Sequence, residues 1–174
     1  MARTLSLTQV LHTKAFHNLF WSFANREPNR LIVVSPFLGG LPYFKSTVEF
    51  ARYFLRTGKS QFTLVTRPPE RGRDGIIDRP QAEALVALGV DLRIRQTPPL
   101  HSKVYQFEFA DESRVSFIGS ANFTIGGFQT NDETVVFLKG EPENGLVDGE
   151  LARLAGRGTL PYEDWDLLNK RSGV

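Results

Sequence analysis

The chain has 174 residues, a formal net charge of +2 and no cysteine. This length allows one domain with a full hydrophobic core, and the lack of cysteine excludes disulfides and thiolate metal sites. No apolar run approaches the roughly 20 residues of a membrane span, and the first residues are too polar for a secretory signal peptide. We therefore expect a cytoplasmic protein with no membrane partner.

Helical and strand patterns alternate in the first half of the chain. They predict an opening helix over 7–27, strands over 30–35, 61–66 and 90–95, and helices over 45–58 and 78–89. The second half predicts closely spaced strands over 100–109, 113–119 and 133–138, then an acidic, loop-like segment from 139 with a weak helix over 146–156.

Strands separated by helices favour a parallel sheet, and closely spaced strands favour an antiparallel addition. The sequence therefore predicts an α/β fold, with one mixed, mostly parallel sheet flanked by helices on both faces. We expect a single domain over residues 1–174, with its core over about 5–140 and an acidic C-terminal extension over 141–174.

The charge is unevenly distributed along the chain. Residues 52–103 carry ten Lys or Arg against five Asp or Glu, whereas residues 139–174 carry five against seven. A positive middle section suits a polyanion. An ordinary solvated surface explains the same charge at least as well, so other residues must decide.

Two polar residues interrupt the apolar rhythm of LHSKVYQFEF, residues 100–109. His101 and Lys103 are two positions apart and would share one face of a strand. Such a face cannot be ordinary core unless both side chains are satisfied. The next predicted strand runs into a GSAN turn, residues 119–122, and Glu133 opens the last strand. These polar groups can therefore converge at one end of the sheet.

The converging groups suit a phosphodiester. Lys103, Ser120 and Asn122 can bind its non-bridging oxygens. Glu133 can fix the tautomer of His101, as the third member of a catalytic triad does. The free imidazole nitrogen could then attack phosphorus.

The pattern H-S-K, G-S-A-N-F-T and N-D-E, over residues 101–133, resembles the HKD motif of the phospholipase D superfamily, particularly its single-motif bacterial nucleases and restriction-enzyme-like members. The resemblance implies that His101 forms a covalent phosphohistidine, that Lys103, Ser120 and Asn122 hold the phosphate, and that Glu133 orients His101. It departs from the family at Glu108, where an Asp is usual, and in a longer spacer before Gly119.

Further residues are candidates for binding the substrate. Arg93 and Arg95 share one face of the 90–95 strand and are interpreted as a phosphate-binding stripe, with an exposed sheet edge as the alternative. Arg67 begins the Pro/Gly/Arg loop over 67–78, which is equally well explained as an ordinary exposed loop. Gly119 and Thr124 belong to the GSANFT segment and complete the candidate substrate-binding set.

Cleavage through a phosphohistidine needs a second imidazole as the general acid for the leaving oxygen. We interpret His12 and His17 as ordinary half-buried histidines of the opening helix. The second imidazole is therefore expected from a partner subunit, at a site shared across a two-fold homodimer. No metal ligand set is recognisable, so we expect no metal and no other cofactor.

The sequence thus favours an enzyme: a metal-independent phosphodiesterase or endonuclease, a hydrolase. Its substrate is expected to be DNA sooner than RNA, although no residue pattern decides between the two. Its small size suggests the nuclease subunit of a restriction or phage-defence system, with a helicase, ATPase or recognition subunit as partner. Two alternatives remain open. One is a phospholipid-cleaving phospholipase D-type hydrolase, and the other is a DNA-binding module with weakened catalysis. The preference for single or double strands is also open.

Overall fold

The computed structural model describes residues 7–156 and 158–171, and its strands form one mixed eight-stranded sheet. The strands are β1 (Leu7–His12), β2 (Arg30–Val34), β3 (Gln61–Thr66), β4 (Asp91–Arg95), β5 (Val104–Glu108), β6 (Arg114–Gly119), β7 (Thr134–Lys139) and β8 (Thr159–Pro161). The helices are α1 (Thr13–Ala24), α2 (Thr47–Phe54), α3 (Arg79–Ala87), α4 (Glu141–Ala155) and α5 (Tyr162–Arg171), and a π-helical turn spans Gly126–Thr130.

The strand order is β1-β7-β6-β5-β2-β3-β4-β8. The predicted mixed sheet between helices is confirmed, but the expected majority of parallel pairs is wrong. Only β2–β3 and β3–β4 are parallel, and the five other neighbouring pairs in the described sheet are antiparallel. The short connections of the second half explain this, because parallel neighbours require a long crossover.

The two faces of the sheet bury different amounts of apolar surface. On β2, Leu31 and Val33 face the large core cluster formed with α1, α2 and α3. Ile32 and Val34 face the other side, where they pack in a smaller cluster with residues of α4. The predicted helices on both faces are therefore confirmed.

The opening helix predicted over 7–27 is wrong in its first part. Residues 7–12 form the edge strand β1, which pairs antiparallel with β7, from Leu7 opposite Lys139 to His12 opposite Thr134. Helix α1 begins only at Thr13. Only Leu11 of β1 is buried, so residues 7–12 do not form the apolar helix face that their spacing suggested. Their pairing with β7 in the folded chain decides the conformation instead.

The C-terminal segment is more regular than the loop-like stretch predicted from residue 139, and the weak helix predicted over 146–156 is found as the longer α4. It forms α4, β8 and α5, and β8 pairs with β4 at the sheet edge opposite β1. Tyr162 and Trp165 of α5 lie in the large core cluster, so this part of the chain packs on the rest. The assignment of residues 1–174 to one domain stays a prediction, and residues 1–6, 157 and 172–174 lie outside the described residues.

Candidate active site

The predicted site residues lie at one end of the sheet. Strand β2 ends there, β6 ends at Gly119, and β5 and β7 begin there at Val104 and Thr134. His101 and Lys103 directly precede β5, and Glu133 directly precedes β7. The strand predicted over 100–109 thus starts three residues after His101, and both polar residues lie in the connection before it.

Lys103 is buried beside an exposed histidine. The residue as a whole is 7% exposed. The Nζ atom donates a hydrogen bond to the main-chain oxygen of His101 at 2.8 Å, and lies 3.4 Å from each ring nitrogen of that residue. Burial lowers the pKa of Lys103, while the negative charge of Glu133 raises it and so opposes part of this effect. The Lys103 ammonium therefore lies close enough to interact with both the His101 imidazole and the Glu133 carboxylate.

Both carboxylate oxygens of Glu133 accept hydrogen bonds. Ser120 Oγ donates to Oε2, and Asn131 Nδ2 donates to Oε1 at 3.1 Å. Glu133 as a whole is 6% exposed. Among the described residues, the hydrogen-bond partners of this carboxylate are thus Ser120 and Asn131 rather than His101. The expected role of Glu133 in orienting His101 stays a prediction.

The GSANFT segment turns sharply after β6. A Cβ atom on Gly119 would lie 2.2 Å from the main-chain oxygen of Thr134, so only glycine allows β6 and β7 to approach this closely. A Cβ atom on Gly127 would lie 2.2 Å from the main-chain oxygen of Asn122. Both glycines are therefore required to place the polar side chains of the turn.

Two buried hydroxyls form hydrogen bonds to the main chain of the same segment. Tyr105 Oη donates to the main-chain oxygen of Ala121 at 2.6 Å. Ser35 Oγ accepts from the main-chain nitrogen of Phe123 at 3.0 Å. Burial, together with the charge of Glu133, raises the pKa of Tyr105 well above its ordinary value, so this residue stays a neutral donor. Sequence reasoning missed both residues because their apolar or small neighbours mark them as ordinary strand positions.

Asn122 and Thr124 differ in what their side chains contact. Asn122 Oδ1 is buried and has no hydrogen-bond partner among the described residues. Thr124 Oγ1 accepts from the main-chain nitrogen of Gly127 at 3.2 Å. Thr124 therefore supports the turn, whereas the buried Oδ1 of Asn122 is left able to accept a hydrogen bond.

The predicted arginine stripe has a different environment. Arg95 is 4% exposed, and its Nη1 atom donates to the main-chain oxygens of Arg153 and Leu154 and to Thr159 Oγ1, at 3.1–3.3 Å. Arg93 shares that face as predicted, but its Nε atom is 3.0 Å from the carboxylate of Asp91. Arg95 therefore anchors the end of α4 instead of presenting a charge to solvent.

Arg67 lies at the same end of the sheet as the site, directly after β3. Its guanidinium stacks 5.5 Å from the ring centre of Phe37, and Phe37 follows the buried Ser35 by two residues. Of the three predicted arginines, Arg67 is thus the one whose position suits contact with a substrate at this end.

A second H-x-K spacing occurs at His12–Lys14. His12 is exposed and ends β1 opposite Thr134, rather than lying half-buried inside a helix. Its side chain makes no capping hydrogen bond to α1. His12 therefore lies at the site end of the sheet, on the strand next to β7.

Thr13 links α1 to the site. Its Oγ1 atom accepts from the main-chain nitrogen of Glu133 at 2.9 Å and donates to the main-chain oxygen of Asn131 at 2.7 Å. Thr13 precedes these residues by about 120 positions, so no local sequence signal could have revealed the contact.

A comparison with protein-family models identifies the chain. The model described as "Cardiolipin synthase, PLD-like domain" matches residues 61–155, which are 95 of the 174 residues. This chain belongs to the phospholipase D superfamily. The predicted family and the predicted enzyme class, a phosphodiesterase of this superfamily, are thereby confirmed. No curated protein matches the chain.

Several solved structures share the fold of this chain. Nuc from Salmonella typhimurium, a phospholipase D family member, is 20% identical with a TM-score of 0.62, and the match covers 91% of this chain and 99% of Nuc. NucT from Helicobacter pylori is 10% identical with a TM-score of 0.57, over 90% and 99% of the two chains. Phosphatidylserine synthase from Haemophilus influenzae Rd KW20 is 9% identical with a TM-score of 0.61, over 90% of this chain and 40% of the synthase.

Two properties of the described residues concern other kinds of site. None of the described helices is long and apolar enough to cross a membrane. No group of three or more His, Asp or Glu within the described part of the chain is placed to hold a metal ion. Metal independence and a cytoplasmic location stay predictions.

Proposed function

We propose that the chain is a metal-independent nuclease that cleaves DNA through a covalent phosphohistidine on His101. The observation that carries this proposal is the pairing of a buried ammonium with an exposed imidazole. Lys103 Nζ lies 3.4 Å from both ring nitrogens of His101, so a phosphate that His101 attacks would contact a fixed positive charge. In a partly desolvated site, such a charge stabilises the transition state more strongly than it would in water.

The reaction has two displacement steps. In the first, a neutral ring nitrogen of His101 attacks phosphorus and forms a P–N bond, while the bond from phosphorus to the leaving oxygen breaks and a general acid protonates that oxygen. In the second, water attacks phosphorus, the P–N bond breaks and the water gives up its proton to the same group, now acting as base. Lys103 Nζ and the Nδ2 amide group of Asn122 donate to the non-bridging oxygens in both steps, and Ser120 does so when its hydroxyl proton turns from Glu133 to the phosphate.

The general acid must be a second imidazole close to the same phosphorus. His12 lies on β1, and His101 lies just before β5. In the sheet, β1 is three strands away from β5. Three strand spacings of about 4.8 Å separate β1 from β5 by roughly 14 Å, which is a long span for two imidazoles on one phosphorus atom. We therefore retain a homodimer, in which His101 of the partner subunit provides the acid.

The substrate is proposed from charge and from the relatives. The excess of Lys and Arg over residues 52–103 suits a polyanion, and Arg67 lies at the site end of the sheet. The structural relatives that match over nearly their full length are Nuc and NucT. We propose that the substrate is DNA sooner than RNA. We also propose that the chain is the nuclease subunit of a defence system and acts with a helicase, ATPase or recognition subunit.

Cleavage of plasmid DNA in millimolar EDTA tests this function. We expect the wild-type chain to nick or linearise the plasmid and the His101→Ala variant to be inactive with an unchanged thermal midpoint. Acid quenching of a reaction with end-labelled DNA should destroy the adduct on His101, whereas alkaline quenching should preserve it, because a phosphoramidate is acid-labile. Strict dependence on added Mg²⁺ would contradict the proposed chemistry.

A phospholipid substrate is the second candidate, because the matching family model is described by cardiolipin synthase and one structural relative is a phosphatidylserine synthase. The same chemistry on His101 would then release a headgroup. Vesicles of phosphatidylglycerol or cardiolipin, assayed beside the plasmid, distinguish the two candidates. Turnover of vesicles without cleavage of DNA would favour the lipid substrate.

A further inference from the structure

We infer that Thr13 is a positioning residue of the active site and that it acts through Glu133. This inference rests on the proposed function of Glu133 as a site carboxylate. It concerns a residue outside the 101–133 segment that carries the family resemblance.

The hydroxyl of Thr13 uses both of its hydrogen-bonding roles on one short segment. It accepts from the main-chain nitrogen of Glu133 at 2.9 Å and donates to the main-chain oxygen of Asn131 at 2.7 Å. One side chain thus fixes both ends of the three-residue segment 131–133. That segment connects the π-helical turn to β7 and has no regular secondary structure of its own.

The same segment supplies the carboxylate and one of its donors. Asn131 Nδ2 donates to Glu133 Oε1 at 3.1 Å. The other oxygen of Glu133 accepts from Ser120 Oγ, which in turn accepts from the main-chain nitrogen of Thr134 at 3.1 Å. A shift of the segment would therefore move the carboxylate and its donor together, and would disturb its alignment with Ser120.

Thr13 is itself held by two elements. It is the first residue of α1 and directly follows β1, whose last residue, His12, pairs with Thr134. Phe16 and Phe20 of α1 are fully buried in the large core cluster. The core packing of α1 therefore fixes the position of the Thr13 hydroxyl. A fixed position is what a residue needs in order to hold a catalytic group in productive geometry.

Replacement of Thr13 by valine removes the hydroxyl and keeps the branched shape. We expect kcat for DNA cleavage to fall on the order of 10-fold to 100-fold, the loss that a misplacement of about 1 Å can cause, with KM nearly unchanged. Thr13→Ser keeps the hydroxyl and should restore most of the rate. Thr159→Val is the matched control, because Thr159 Oγ1 also donates to a main-chain oxygen (Leu154, 2.6 Å) and accepts from a side chain (Arg95, 3.1 Å), but lies on β8 at the opposite edge.

Two further measurements separate positioning from general destabilisation. In a Glu133→Gln background, Thr13→Val should cost little additional activity, since the group through which it acts is already disabled. The amide proton of Glu133 should exchange with solvent faster in Thr13→Val than in wild type, while core amides on β2 exchange at unchanged rates. This exchange readout does not depend on DNA cleavage, so it tests the role of Thr13 even if the wild-type chain does not cleave DNA.

The outcomes are distinct. A normal kcat in Thr13→Val, an equal loss in the Glu133→Gln background, or an unchanged exchange rate at the Glu133 amide would each overturn the inference. A wild-type chain that leaves DNA and lipid intact would overturn the proposed function instead, and faster exchange in Thr13→Val would still support the structural role of this hydroxyl.

Discussion

At the scale of single residues, the site combines a buried lysine with an exposed histidine. Burial favours the neutral form of an amine, because a charge loses its hydration in the interior. The pKa of Lys103 is accordingly below its ordinary value near 10.5, although the charge of Glu133 limits the shift. The positive charge that would bind the phosphate is therefore lost at a lower pH than for an exposed lysine.

This shift predicts the alkaline limb of the pH–rate profile. As pH rises through the lowered pKa, Lys103 loses its proton, and kcat/KM, which reports the free enzyme, should fall with a midpoint below 10.5. A Lys103→Arg variant should be slower at every pH but should lack this limb, because a guanidinium stays charged. Exposed Lys45 provides the control, since Lys45→Arg should leave the profile unchanged. A limb that survives in Lys103→Arg would assign it to another group.

At the scale of elements, the site depends on the close approach of β6 and β7. Gly119→Ala would place a Cβ atom 2.2 Å from the main-chain oxygen of Thr134. Because the atoms nearest to this Cβ belong to the backbone of β7, strands β6 and β7 must separate, and Ser120 moves with them. We expect a fall of several degrees in the thermal midpoint and loss of most activity. Gly149→Ala is the control: no atom within 4 Å opposes its Cβ, and alanine should stabilise α4 by up to about 1 kcal/mol.

The contacts of Arg95 separate structural from substrate-binding arginines. Arg95→Met removes a buried guanidinium that holds main-chain oxygens at the end of α4. We expect a lower thermal midpoint, with an unchanged slope of log Kd against log salt for DNA binding. Arg67→Met should do the reverse, reducing that slope by about one phosphate contact. If Arg95→Met folds as well as wild type but reduces the slope of log Kd against log salt, Arg95 binds phosphate, as the sequence predicted.

Local patterns predicted the elements best where the chain is most regular. The helix predicted over 78–89 is α3, and Asp78 is its N-cap, with Asp78 Oδ1 accepting from Gln81 N at 2.9 Å. The strand over 61–66 has the predicted bounds. Residues 7–12 were mispredicted because their strand pairing depends on β7, more than 120 residues later. Arg95 was misassigned for a related reason, since no local pattern shows that α4 covers that face of β4.

The site itself was predictable as far as its residues are close in sequence or match a family pattern. His101, Lys103, Ser120, Asn122 and Glu133 do lie at one end of the sheet, because strand ends meet there. The supports of the site, Thr13, Ser35 and Tyr105, contact it only through the folded topology. Their side chains are common on ordinary strands and helices, so composition and spacing gave no signal.

At the scale of the whole molecule, one chain provides one His101, and the proposed reaction uses two. We expect a homodimer by sedimentation, with both His101 side chains within the width of one phosphate. Mixing wild-type chains with an excess of His101→Ala chains, under conditions that allow subunit exchange, should lower activity below simple dilution, because mixed dimers lack either the nucleophile or the acid. A fully active monomer would contradict the shared site, and His12→Ala would then be the next variant to assay.

The edge position of β1 has a thermal consequence. Within the described sheet β1 pairs only with β7, and edge strands with few buried side chains open at lower free energy than central strands do. Five of the six residues of β1 are exposed, whereas β2 is almost fully buried. Fraying of this strand would break the pairing of His12 with Thr134, the residue next to Glu133, and would loosen the segment that carries this carboxylate even while α1 still holds Thr13. Catalysis should therefore fail on warming while the aromatic core is still folded, and it should return on cooling without refolding of the whole chain.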